Sequence, residues 1–333
     1  MIALPPQHPS VAIGKIGVLL VNLGSPAAPE TGAVRRYLQQ FLSDRRVVEI
    51  PPLLWQPILR GIILNTRPRK SAHAYSQVWT PYGAPLVAIT KAQASAVQAR
   101  LGPSVLVDWA MRYGSPSIAE RLETLKATGC DRILLAPLYP QYSSATTGTV
   151  FDAVAEAMAK MRWQPALRTL PPYYDDPAHI AALKASTETA LKGLTFTPDA
   201  LVASFHSMPE RTLTLGDPYH CQCQKTARLL SEALGQELLV TFQSRLGRAK
   251  WLGPATDATL EALPGKGKKR IAVITPGFSA DNLETLEEIA LRGRDSFMEA
   301  GGEDFAHLPC LNDSSDGIDM LATILGRELG GWV

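Results

Sequence analysis

Three side chains in this sequence have types and spacing suited to moving protons and a divalent metal: His206, Glu284 and Glu288. An imidazole titrates near neutrality, so His206 can accept a proton or ligate a borderline ion such as Fe²⁺. Glu284 and Glu288 are four positions apart, which on a helix stacks them on one face. Such a set can bind a divalent metal permanently, or it can pass protons and a transient metal to a substrate. Plainer readings compete. A lone histidine is often a hydrogen-bonded structural residue. Asp281 followed by Glu284 spells a capping box whose acids suit the helix dipole. Capping does not call for Glu288, nor for the aromatic Phe278 beside Pro276-Gly277.

The elements that must position these groups are legible. Ile271 to Ile274 is an apolar run broken by Pro276-Gly277 and followed by an acidic helical pattern, Ser279 to Ala290: strand, turn, helix. ALVASFHSMPE (Ala200 to Glu210) is a strand ending in His206. Open α/β sheets collect ligands at the carboxyl ends of such strands. The plan repeats along the chain. Strand, Arg112-Tyr113-Gly114-Ser115-Pro116, helix, Arg132-strand-Pro137 and polar turn recur as strand, Arg245-Leu246-Gly247, helix, Arg270-strand-Pro276 and polar turn. VNLGSP likewise matches SFHSMP. The predicted fold is α/β, with two similar doubly wound parallel-sheet, Rossmann-like halves and a cleft between them. Pro171-Pro172 and Asp175-Asp176-Pro177 set the break, giving residues 1–172 and 173–333. His206 and the Glu284 turn then end neighbouring strands of the second half.

Composition narrows the class. A net charge of +2 over 333 residues gives no reason to expect nucleic acid as a partner. The dinucleotide G-x-G-x-x-G, the Walker loop, the G-x-S-x-G elbow and H-E-x-x-H are all missing. Pro5, Pro6 and Pro9 precede a first strand, Ile16 to Leu23, too short to span a bilayer, so no signal peptide is expected. Four cysteines without paired metal-ligand spacing fit a reducing cytoplasm. The segment Pro51 to Asn65 is rich in large apolar residues yet cut by Pro57 and Gly61. It reads either as two short helices packed on the core or as an exposed apolar lip, residues 51–66. A Gly216 to Cys223 polar loop is expected before the helix that ends at Leu234.

VNLGSP, RYLQQFLSDRRVV, YGAPL, RYGSPS, PLYPQYSSATTG, SFHSMPERTLTLGDPY, TFQSRLGRAKWLGPATD and PGFSADNLETLEEI together resemble ferrochelatase, the porphyrin-metallating enzyme that ends haem biosynthesis. The likeness runs from about Ile16 to Leu325. It implies a lyase that inserts Fe²⁺ into protoporphyrin IX and releases two protons, with iron as substrate and no cofactor required for chemistry. It implies His206 as proton acceptor or metal ligand, with Glu284 as its partner toward the metal. Glu284 and Glu288 would form an acidic helix face that carries protons away or guides metal. Arg112, Tyr113, Tyr139, Trp251 and Phe278 match positions lining the macrocycle pocket, and Arg67 falls near one that meets a propionate. Many members have histidine where this chain has Asn282, which puts a metal-relay role there in doubt.

The resemblance also implies a cytoplasmic protein, monomer or homodimer, working peripherally at the inner membrane. The lip would then dip into lipid, with Arg60, Arg67 and Arg69 at the headgroups. Some members carry a [2Fe-2S] cluster on four cysteines. Here the candidates are Cys130, Cys221, Cys223 and Cys310, and the alternative is four reduced thiols. Competing functions are a chelatase for coproporphyrin or a cobalt substrate, and a porphyrin or metal carrier without turnover.

Overall fold

The computed structural model describes residues 7–8, 11–245 and 249–333. Pro5, Pro6 and Pro9, and Leu246 and Gly247 of the second repeat, lie outside the described residues. Two four-stranded sheets, each all parallel, form the framework. In the first, β1 (Lys15–Gly24), β2 (Val105–Tyr113), β3 (Cys130–Pro137) and β4 (Ala166–Thr169) lie in the order β2-β1-β3-β4. In the second, β5 (Ala200–His206), β6 (Leu238–Gln243), β7 (Arg270–Ile274) and β8 (Asp304–His307) repeat it as β6-β5-β7-β8. Even the turns correspond. Met111 N donates to Pro116 O and Phe242 N to Pro254 O, each at 2.8 Å, closing the same loop in both halves.

The strands read as unbroken apolar runs because both sheet faces are covered. Alternate residues of β1 go to different cores: Val18 and Leu20 to one, Leu19 and Val21 to the other. The first of these cores is shared between the halves, joining Val18 and Leu20 to Leu201, Ala203 and Phe205 of β5. Helix Ser315–Glu328 seals it with Leu321, Ile324 and Leu325, packing on helices Pro85–Leu101 and Pro177–Lys192. Among the described residues, no helix is long and apolar enough to cross a membrane.

Three local expectations are revised. The acidic helix after β7 is a π-helix, Glu284–Gly293, rather than an α-helix. Cys221 and Cys223 lie inside helix Tyr219–Leu234, not in a polar loop, because the break comes earlier at Gly216-Asp217-Pro218. The Pro51 to Asn65 segment combines both of its readings. It is helical (Pro52–Ile58, a π-turn Leu59–Ile63, then Leu64–Val78), yet Leu53 is 90% exposed, Leu54 64% and Ile62 57%. Leu59 and Leu64 root it in a small core, and the Trp55 indole N–H donates to Leu42 O at 2.6 Å.

Candidate active site

Strand periodicity aims His206. Along β5, Ala200 and Val202 face the core that contains Ile289 of the π-helix, while Leu201, Ala203 and Phe205 face the shared core. With a period of two, His206 falls on the π-helix side, at the carboxyl end of its strand. Its neighbours are pinned. Ser207 N donates to Gln243 O at 2.7 Å, and Ser207 Oγ donates to Leu252 O at 3.0 Å. His206 Nδ1 lies 2.6 Å from Ser207 O. A carbonyl oxygen only accepts, so Nδ1 carries the hydrogen and, in the neutral ring, Nε2 carries the lone pair. That is the tautomer a proton acceptor requires.

The capping box expected from Asp281 and Glu284 is built from other residues. Asn282 Oδ1 accepts from Thr285 N at 3.1 Å, and Asn282 N donates to Thr285 Oγ1 at 3.1 Å. Asp281 is instead a buried strut, accepting from Thr285 Oγ1 at 2.8 Å and Asn312 Nδ2 at 2.7 Å. Asn282 is buried in this turn, which accounts for it without a metal. Glu284 is thereby released from capping. Burial pushes its carboxyl above the ordinary range, and the His206 imidazole pulls in the opposite direction. The two groups therefore sense each other electrostatically.

Glu288, one turn on, accepts from both donors of Ser244 and borders a cavity of about 580 Å³. Ser244, Lys250, Trp251, Asp257 and Arg292 also line it. Glu287 is turned away and buried, bonded to Arg292 Nε at 2.8 Å. That i,i+5 pairing is compatible with the π-helix, whose turn is wider than an α-helix turn. Among the described residues, no three His, Cys, Asp or Glu side chains are grouped to hold a metal ion, so His206, Glu284 and Glu288 do not form a three-ligand cage.

The first half closes over this set. Tyr37, whose hydroxyl donates to Gly24 O at 3.1 Å, and Tyr75 both feel the Glu284 charge, and burial raises both phenols. Neither was singled out from the sequence, where nothing separates them from ordinary helix-core aromatics. Asp44 was missed as well. It forms an ion pair with Arg112 and accepts from the Tyr113 hydroxyl at 3.0 Å. Tyr113 is fully buried beneath the Arg112 guanidinium, which lies 4.5 Å from its ring centroid, so its ring is not open to a ligand.

Tyr139 is half-buried, with a hydroxyl that is buried and unpaired. Trp251 is strapped over the residues that follow His206 by the Pro209–Trp251 bridge and by Leu252 N donating to Met208 O at 2.9 Å. Phe278 is held half-exposed by the Pro276-Gly277 turn, its amide donating to Thr275 O at 3.1 Å. Arg67 is half-buried on helix Leu64–Val78, where burial lowers its guanidinium pKa. Among the described residues it has no ion pair, so it can meet an incoming carboxylate.

Trp251 and Glu288 share the cavity, Phe278 borders a smaller one with Thr187 and Cys310, and His206 and Glu284 meet electrostatically beside them. The ferrochelatase family model matches residues 15–329. The chain belongs to the ferrochelatase family. Ferrochelatases are lyases of haem synthesis that insert ferrous iron into protoporphyrin, and that is the activity of this chain. A ferrochelatase of Rhizobium meliloti (strain 1021) is 56% identical over 334 residues, covering 98% of each chain. One of Agrobacterium fabrum is 53% identical, covering 99% of this chain and 98% of its own. Among solved structures, SirB from Bacillus subtilis with Fe³⁺ superposes with a TM-score of 0.58 at 13% identity, covering 96% of both chains. CbiX, described as the terminal enzyme for biosynthesis of sirohaem in denitrifying bacteria, gives 0.53 at 16% identity, covering 94% of this chain and all of its own. At those identities the likeness is one of fold alone.

The four thiols do not fit a [2Fe-2S] cluster. Cys130 is buried in the first sheet, where its sulfur lies against the backbone of Gly17. Cys221 and Cys223 are two apart on one helix and point to opposite sides, Cys221 to solvent and Cys223 into the shared core. Cys310 is buried beside Thr275, 3.3 Å from its hydroxyl. Burial raises the thiols of Cys130, Cys223 and Cys310, which favours the protonated form over the thiolate a cluster needs.

Proposed function

We propose that this ferrochelatase metallates protoporphyrin IX in the cleft between its halves, with His206 Nε2 accepting the pyrrole protons and Glu284 receiving them next. The observation that carries this reading is the His206 Nδ1 contact to the Ser207 carbonyl, which fixes the tautomer, together with the electrostatic link to Glu284. The reaction exchanges two N–H protons for one Fe²⁺, so each turnover needs a base with an onward path. The raised proton affinity of Glu284 suits it to take a proton from a charged imidazole, and Glu288 leads on to the cavity beside it.

The metal cannot reach four nitrogens of a planar ring while hydrogens occupy the centre. Walls that bend the ring expose a lone pair, at a strain of about 1–5 kcal/mol drawn from binding. Trp251, Phe278 and Tyr139 are the walls we assign, with Arg67 meeting a propionate and Arg112 held by Asp44 at the rim. His206 and Glu284 hold the ion only in passage. The exposed Leu53, Leu54, Ile58 and Ile62 form a lip by which the protein meets the inner membrane from the cytoplasm, with Arg60 and Arg69 nearby on the same segment. Anaerobic assays with Fe²⁺ and either protoporphyrin IX or coproporphyrin test the substrate. Arg67→Ala should raise porphyrin KM about tenfold and leave kcat nearly unchanged. An unchanged KM would remove Arg67 from the site. Liposome flotation of a Leu53, Leu54, Ile58 triple serine variant tests the lip. Undiminished binding to anionic vesicles would remove it.

A further inference from the structure

Ser244 follows the last residue of β6 with φ of +68°, in the left-handed region that a serine enters only at a cost. Such a conformation persists where its surroundings demand it, and often at functional sites. Here it turns both of the residue's donors onto one carboxylate. Ser244 N donates to Glu288 Oε1 at 2.7 Å, and Ser244 Oγ donates to Glu288 Oε2 at 2.5 Å. The preceding residue takes hold of the same helix a turn earlier. Gln243 Nε2 donates to the Glu284 carbonyl at 3.0 Å, while its own Oε1 accepts from Ser204 Oγ at 2.6 Å. The end of β6 thus grips the π-helix at both acids, through the backbone of one and the side chain of the other. Among the described residues, Glu288's ion-pair partner is Arg292, at 4.0 Å.

We propose that Ser244 is a positioning residue for proton release, holding the Glu288 carboxylate in line behind Glu284 at the wall of the cavity. The inference rests on the reading of Glu288 as the outward step of the relay. Without the hydroxyl, one carboxylate oxygen is free to swing toward Arg292, and the relay lengthens.

The test is a double-mutant cycle on kcat with Fe²⁺ and protoporphyrin IX. Ser244→Ala removes the hydroxyl. Ser244→Gly removes it and also relieves the left-handed backbone, so it folds at least as readily. Both should lower kcat about tenfold, the usual worth of a bond to a charged group, with porphyrin KM unchanged. In a Glu288→Gln background the same changes should cost less than about twofold, because the carboxylate they position is gone. Glu288→Gln slow with Ser244→Gly at wild-type kcat, or with fully additive losses, overturns the role of Ser244 alone. Glu288→Gln at wild-type kcat overturns the relay reading and Ser244 with it.

Discussion

Replacing Glu284 by Gln should make the protein more stable and a poorer catalyst at once. The side chain keeps its shape and the Asn282–Thr285 capping box is untouched. Burial raises the Glu284 carboxyl above its ordinary value, with His206 opposing. A group whose folded pKa is raised contributes its stability below the unfolded value and loses it as pH rises through the folded one. At neutral pH the folded state therefore carries a charge penalty that Gln does not. Each tenfold rise in proton affinity is worth about 1.4 kcal/mol, or roughly 2 °C of Tm in a chain of this size. Scanning calorimetry of wild type and Glu284→Gln should show a gain at pH 7.5 that shrinks toward nothing as pH nears the ordinary carboxyl value. Turnover of the variant should fall at least tenfold, by loss of a proton-transfer step. No gain at pH 7.5, or an equal gain at acid pH, would refute the electrostatics assigned to this site.

Other consequences follow from named contacts. A Cβ on Gly277 would stand 3.0 Å from the ring of fully buried Phe205, so Gly277→Ala should displace the turn that carries Phe278 and destabilise by about 1–3 kcal/mol, read by urea titration. His179 is buried and its imidazole is pushed down to about 4 from 6.5, so stability should fall as pH drops through that window. The full loss is about 3 kcal/mol, and His179→Asn should flatten the profile; an unchanged slope would remove His179 as its source. Under native conditions a thiol reagent should modify Cys221 rapidly and the three buried thiols only on unfolding, and anaerobically purified protein should contain no inorganic sulfide. Rapid labelling of four thiols, or sulfide with a visible chromophore, would contradict the burial described above.

Much of the site was legible because strand ends announce themselves. His206 closes an apolar run, and Pro276-Gly277 closes another, so their convergence followed from the repeat and from β5 and β7 pairing as neighbours. The widened helix was not legible. Glu284 and Glu288 share a face at α-helical spacing, and nothing in their pattern signals the wider turn. Asp281 and Glu284 copy a capping box in sequence, but Asn282 and Thr285 make the bonds, because Asp281 is drawn off to Asn312 across 31 residues. The cysteine pair misled because a polar run can be the solvent face of an amphipathic helix as readily as a loop. Tyr37 and Tyr75 meet Glu284, and Asp44 meets Arg112, only through contacts between distant segments, for which no local pattern exists.

The most direct measurement is the anaerobic turnover of His206→Ala with Fe²⁺ and protoporphyrin IX, set beside its porphyrin affinity by fluorescence quenching. With Nε2 as the proton acceptor, kcat should fall by at least about 10²-fold while the dissociation constant stays within about threefold, since the walls of the cleft remain. Turnover near wild type with affinity intact would contradict the account.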